Sequence, residues 1–225
     1  MPNSQTEHCY SIFPSLLSAD TLRLGEEVTA LINTGVEMIH LDIMDNHYVP
    51  NLTFGPDLAR RLHQQFPTLG IDVHLMTTPV DALIEQFATS GATRISIHPE
   101  ATSHLDRSLQ LIRAHGCQVG LVLNPATLIE TLRWCHHRLD FILLMTVNPG
   151  FGGQTLIKEL IPKITCVHKM FPSLPLCVDG GVNQKNIAAL AHAGATQFIV
   201  GAALFKEKNY QHTLATLHQQ LHHNA

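Results

Sequence analysis

The chain has 225 residues, 45% of them hydrophobic, and a formal net charge of -4 at pH 7 with His neutral. That size suits one substantial core, so a single domain over residues 1–225 is expected. The acidic balance and the lack of any Lys/Arg run argue against nucleic acid or a membrane surface as partner.

Short runs rich in Ile, Val and Leu recur at residues 11–16, 37–43, 71–75, 94–97, 118–123, 141–145, 176–178 and 197–200, and each reads as a buried strand. Between and after them, apolar residues at helical spacing predict helices over 21–33, 56–66, 80–90, 105–114, 129–135, 157–170, 185–193 and 210–222. Gly35, Gly91, Gly116 and Gly194 stand where left-handed helix caps belong. Near-continuous apolar strands joined by helical crossovers call for a parallel sheet, and eight such units suit a closed (β/α)8 TIM barrel. An open doubly wound sheet is the structural alternative. The N-terminal stretch lacks a basic segment followed by a long apolar one, and no apolar run reaches the roughly 18 residues of a membrane span, so a cytoplasmic protein is expected. The cysteines Cys9, Cys117, Cys135, Cys166 and Cys177 are odd in number and form no Cys-x-x-Cys pair, which predicts reduced, mostly buried thiols.

Polar residues at the ends of the apolar runs carry the chemistry, because the C-terminal strand ends of a barrel converge on one mouth. The second strand closes on His40-Leu41-Asp42-Ile43-Met44-Asp45, the third on Asp72-Val73-His74-Leu75-Met76, and the seventh on Val178-Asp179-Gly180-Gly181. Residues two apart share a face, so His40 and Asp42 point the same way. With His74 and Asp179 they form a donor set suited to one divalent transition metal ion such as Zn, Fe, Mn or Co. Any single His among the 16 is weak evidence, and a buried structural His is the competing reading; the four residues together outweigh it. His98, at the end of the fourth strand, could orient a neighbouring site group or be merely structural.

Two carboxylates also suit proton removal beside a carbonyl. One acts as base on one face of a planar enediolate and the other as acid on the opposite face, while a bound metal stabilises the developing negative charge. For Asp179 the competing reading is a turn residue before a Gly pair. Glycine-rich stretches follow strands six to eight: Gly150, Phe151, Gly152 and Gly153; Gly180 and Gly181; and Gly201-Ala202. Backbone N–H groups in such loops cradle a phosphate, and neither the Walker A nor the dinucleotide pattern is present, so a sugar phosphate is the expected ligand. Met44, Met76 and Met145, also at strand ends, would line the cavity or simply fill core.

In these blocks, together with Pro14-Ser15-Leu16-Leu17, Val49-Pro50-Asn51, Leu123-Asn124-Pro125-Ala126-Thr127 and 145–154, the chain resembles the ribulose-phosphate 3-epimerases over nearly its whole length. The resemblance implies an isomerase of carbohydrate metabolism that interconverts D-ribulose 5-phosphate and D-xylulose 5-phosphate in the pentose phosphate pathway. It implies a metal on His40, Asp42, His74 and Asp179, with Asp42 and Asp179 as the acid/base pair. Ser15 and His74 would sit at the substrate, the glycine loops and Ala202 at its phosphate, and the three methionines over the reacting carbons. A homo-oligomer, dimer or hexamer, is implied too. The family usually has Gly and Phe where this chain has Asn46 and Tyr48. Those two, with His98-Pro99-Glu100, keep the related D-allulose 6-phosphate 3-epimerases in view as an alternative. A catalytically silent sugar-phosphate-binding barrel is a third reading, opposed by Asp179, which binding alone would not need. Phosphate-barrel decarboxylases use an Asp-x-Lys-x-x-Asp array, and Met44 stands where that Lys would be.

Overall fold

The computed structural model describes residues 10–223. Eight parallel strands run β1 Ser11–Pro14, β2 Met38–Met44, β3 Gly70–Met76, β4 Arg94–Ile97, β5 Gln118–Leu123, β6 Phe141–Met145, β7 Leu176–Asp179 and β8 Gln197–Val200. Each pairs in parallel with its neighbour in chain order from β2 to β8, and β8 returns to β1. A bridge between Ser15 and His40 brings β1 against β2 and closes the barrel.

The helices are α1 Leu24–Ile32, α2 Pro56–Gln65, α3 Asp81–Thr89, α4 Leu105–Ala114, α5 Ile161–Met170, α6 Ile187–His192, α7 Ala202–Phe205 and α8 Tyr210–His223. Four of them end as their glycines require. Val36, Ala92, Cys117 and Ala195 donate backbone bonds to Leu31, Phe87, Ile112 and Leu190, five residues back, across glycines with φ between +81° and +110°. Two expectations need correction. The helix expected over 129–135 is a 3-10 helix, Ile129–Trp134, which buries only Leu132; with one apolar anchor, so short a segment gains little from α geometry. The helix expected over 157–170 is a 3-10 turn, Lys158–Leu160, followed by α5, because Pro162 suits the first turn of an α-helix and not its interior.

Strand alternation builds two cores. Ile39, Leu41 and Ile43 of β2, Ile71, Val73 and Leu75 of β3, and Ile95 and Ile97 of β4 face outward under the helices. The lumen takes the other face, with an apolar cluster that includes Phe13, Val122, Phe141, Leu143, Cys177 and Ile199. Gly120 makes room in that lumen: a Cβ there would stand 2.3 Å from Phe141 Cζ and 2.7 Å from the Ser96 Cβ. Gly120→Ala is therefore expected to cost about 1–3 kcal/mol by overpacking, read as a lowered urea midpoint with an unchanged m-value. Cys117, Cys135 and Cys177 are buried free thiols and Cys166 is exposed, while Cys9 lies outside the described residues. No helix among the described residues is long and apolar enough to cross a membrane.

Candidate active site and metal centre

The same alternation that sends Ile39, Leu41 and Ile43 outward sends His40, Asp42 and Met44 into the lumen. Parallel register then sets Asp42 beside His74. With Asp179 from the end of β7, four ligand atoms lie within 4.8 Å of one another. His40 Nε2 is 3.4 Å from Asp42 Oδ1 and 3.9 Å from Asp179 Oδ2; His74 Nδ1 is 3.6 Å from Asp42 Oδ1 and 3.9 Å from Asp179 Oδ2. Both imidazole nitrogens are buried without a hydrogen-bond partner among the described residues. Two orphaned nitrogens that converge on two carboxylates fit a divalent cation bound at about 2.0–2.2 Å from each donor.

The far edge of each imidazole is tied down. His40 Nδ1 meets Asp72 Oδ2 at 2.6 Å, and Asp72 in turn receives Arg94. His74 Nε2 shares a 2.8 Å hydrogen bond with Nε2 of His98, which leaves His74 Nδ1 toward the carboxylates. His98, at the end of β4, thus touches a candidate metal ligand directly.

Burial and charge drive the two carboxylates apart. Burial raises the Asp42 pKa, but His40 and His74 outweigh it and hold Asp42 well below the ordinary carboxylate range. Burial, joined by the like charge of Asp42, pushes Asp179 up to about 7. For His40, burial disfavours charge, and Asp42 and Asp72 together overcome it, so its pKa lies well above the usual value. His74 is lowered, chiefly by burial.

Above this cluster opens a cavity of about 640 Å³. Ser15, Asp42, Met44, Met76, Met145 and Asp179 line its inner end. Gly150 to Gly153 with Phe151, Gly180, Gly181, Gly201 and Ala202 line the other. His40 and His74 lie beneath, fully buried. Ser15 donates to Asp42 Oδ2 at 2.5 Å, which turns Oδ1 toward the imidazoles. At the glycine end, Gly181 has φ +69°, and a Cβ on it would lie 2.5 Å from the Leu156 backbone nitrogen, so this loop packs backbone to backbone.

The β2–α2 loop closes one side. Asn46 adopts φ +56°, a left-handed conformation that Asn tolerates, while Asp45 accepts from the backbone nitrogens of His47, Tyr48 and Thr78. Asn51 Nδ2 donates to the Gly150 carbonyl at 2.8 Å and ties this loop to the glycine loop. The Tyr48 hydroxyl accepts from Asn124 Nδ2 at 2.8 Å and lies 3.4 Å from Glu100, so Tyr48 ties this loop to those after β5 and β4.

Sequence reasoning missed several cavity residues: Asn183 and Asn186, and the exposed Lys158, Lys185 and Lys206 at the glycine-lined end. Their signal was faint, since they are scattered along the chain in loops and at helix ends. It also gave no role to Asp72, although Asp72 shares a strand face with His74.

Comparison with known proteins accords with this geometry. The model of the ribulose-phosphate 3 epimerase family matches residues 11–205. The chain belongs to this family. The Serratia marcescens ribulose-phosphate 3-epimerase is 48% identical over 206 residues, which cover 90% of this chain and 98% of that one. The Escherichia coli K12 ribulose-phosphate 3-epimerase is 46% identical over 216 residues, covering 94% and 96%. Among solved structures, KGPDC from Streptococcus mutans superposes with a TM-score of 0.71 at 14% identity, covering 95% of this chain and 97% of that one. The 3-hexulose-6-phosphate synthase from Salmonella typhimurium gives 0.68 at 14% identity, covering 96% and 100%. At such identities the structural matches speak to the barrel alone; membership of the epimerase family rests on the sequence matches.

Proposed function

We propose that the chain catalyses the reaction its family is named for, the 3-epimerisation of D-ribulose 5-phosphate to D-xylulose 5-phosphate, with one divalent transition metal held by His40, Asp42, His74 and Asp179. The observation that carries this is the pair of buried, unpartnered imidazole nitrogens facing two carboxylates at the floor of a glycine-lined cavity. When bound, the metal supplies Lewis-acid stabilisation of negative charge on the substrate's oxygens.

The chain's own residues do the proton work. Asp42, held ionised by the two histidines, is the base that takes the C3 proton from one face. Asp179, at the end of β7, delivers one to the other face, and the roles exchange in the reverse direction. Met44, Met76 and Met145 place apolar surface around the reacting carbons and keep bulk water from the enediolate. The glycine loops offer backbone N–H groups to the phosphate, and the three lysines add positive charge at that end.

Proton NMR of the zinc- or cobalt-loaded protein in deuterated water tests the reading. Xylulose 5-phosphate carrying deuterium at C3 is the expected product from ribulose 5-phosphate, with D-allulose 6-phosphate turned over at least tenfold more slowly. Faster turnover of the hexulose phosphate would move the assignment to that alternative, and no exchange with either substrate across several divalent metals would leave a binding barrel. The family assembly, dimer or hexamer, belongs to the same proposal; the exposed Leu128 and Trp134 give it apolar surface to bury, and light scattering reads it.

A further inference from the structure

One buried charge has no part in the chemistry above. Arg94 opens β4, is 2% exposed, and projects into the barrel lumen, a place such barrels usually fill with Val, Ile or Leu. Its guanidinium lies between two rings, 4.5 Å from the centroid of Phe13 and 4.1 Å from that of Phe141. Nη1 crosses the lumen to donate to Gln197 Oε1 on β8 at 2.7 Å. Nη2 donates to Asp72 Oδ2 at 2.8 Å, and Nε lies 2.8 Å from Oδ1 in an ion pair without hydrogen-bond alignment. Register sets His40, Asp72 and Arg94 side by side on β2, β3 and β4.

We propose that Arg94 is a positioning residue of the metal centre: it clamps the Asp72 carboxylate so that His40 is held by Nδ1 and presents Nε2 to Asp42 and Asp179. The proposal rests on the metal-site reading above. Two observations support it. Asp72 Oδ2 takes both the Arg94 Nη2 hydrogen bond at 2.8 Å and the His40 Nδ1 contact at 2.6 Å, while Nε pairs by charge with Oδ1 at 2.8 Å, so one buried carboxylate links the guanidinium to the imidazole. A buried ion pair is weak evidence for stability, since apolar residues of similar volume often serve as well, so its presence asks for another role.

The test is a double-mutant cycle read by metal affinity, through chelator competition with Zn²⁺, and by the visible absorption of the Co²⁺-loaded protein, using wild type, Arg94→Met, Asp72→Asn and the double variant. Arg94→Met is expected to bind metal 10–100-fold more weakly and to alter the Co²⁺ spectrum. The double variant is expected to bind no more weakly than Asp72→Asn alone, because Arg94 acts through Asp72. Wild-type affinity and spectrum in folded Arg94→Met, or losses that multiply in the double variant, would overturn the proposal. Should Arg94→Met not fold, Arg94→Lys keeps a cation in the lumen without the planar fork. It is expected to bind metal roughly three- to tenfold more weakly with an altered Co²⁺ spectrum, and wild-type behaviour would again overturn the idea. Wild-type protein that takes up neither metal would instead sink the metal-site reading itself.

Discussion

Asp179→Asn is expected to lower the rate of epimerisation by roughly 10³-fold or more, and to do so while leaving half of the chemistry running. The two carboxylates come from β2 and β7, on different sides of the lumen, so each is placed to serve one face of a planar intermediate. Asn at 179 keeps the shape and an oxygen donor but cannot carry a proton between C3 and solvent. Asp42 still can. One of the two pentulose phosphates should then exchange its C3 hydrogen for deuterium without inverting, while its epimer stays protonated. Asp42→Asn should show the mirror result, with exchange confined to the other epimer. Metal content is measured in both variants, because each position is also a proposed ligand. A variant that retains metal and loses exchange with both epimers would point to a single residue handling both faces, and the two-base scheme would fall.

Much of this site is legible in the sequence for a physical reason. A strand buried on both faces reads as an apolar run, so His40, Asp42, His74 and Asp179 stand out as exceptions within or at the ends of such runs. Glycines after strands six to eight are equally visible, since few other residues permit the backbone approach seen at Gly181. Helix ends were marked by Gly35, Gly91, Gly116 and Gly194, each of which has the positive φ its place suggests.

Arg94 shows what is hidden. A charged residue that opens a short strand reads as solvent-facing, and nothing near it in the chain suggests otherwise. Only the register of β3 against β4 sets it beside Asp72, and only closure of the barrel brings Gln197 within 2.7 Å from the opposite side. Both partners are distant in sequence, 22 and 103 residues away. Helix type between β5 and β6 was obscure for a different reason. The apolar spacing over 129–135 is compatible with either helix, and the choice turns on how little of the segment finds a core to pack against.

The same charges predict that the metal-free protein is strained by its own active site. Asp179 carries a pKa raised from an ordinary 3.8 to about 7, by burial first and then by Asp42. Its folded pKa exceeds its unfolded one, so its protonated form is favoured in the fold, and stability is lost as pH rises from about 4 toward 7. At about 1.4 kcal/mol per tenfold, the ceiling on that loss is about 4 kcal/mol. Other buried groups titrate as well: Asp42 and Asp72 are held low and lose their contribution only in acid, while His40, held high, loses its own as pH rises above its usual 6.5. Comparison of wild type with Asp179→Asn isolates the one carboxyl. Without metal, the variant is expected to match wild type near pH 4 and to exceed it by roughly 2–4 kcal/mol at pH 8, from urea unfolding in the presence of a chelator. Addition of zinc should narrow the gap. A ligand bound to the native state at 100 times its Kd stabilises by about 2.7 kcal/mol, and Asp179→Asn forfeits part of that by weakening a ligand. Equal pH profiles for the two metal-free proteins would mean that Asp179 is not electrostatically burdened in the fold. A variant that zinc stabilises as much as it does wild type would remove Asp179 from the ligand set.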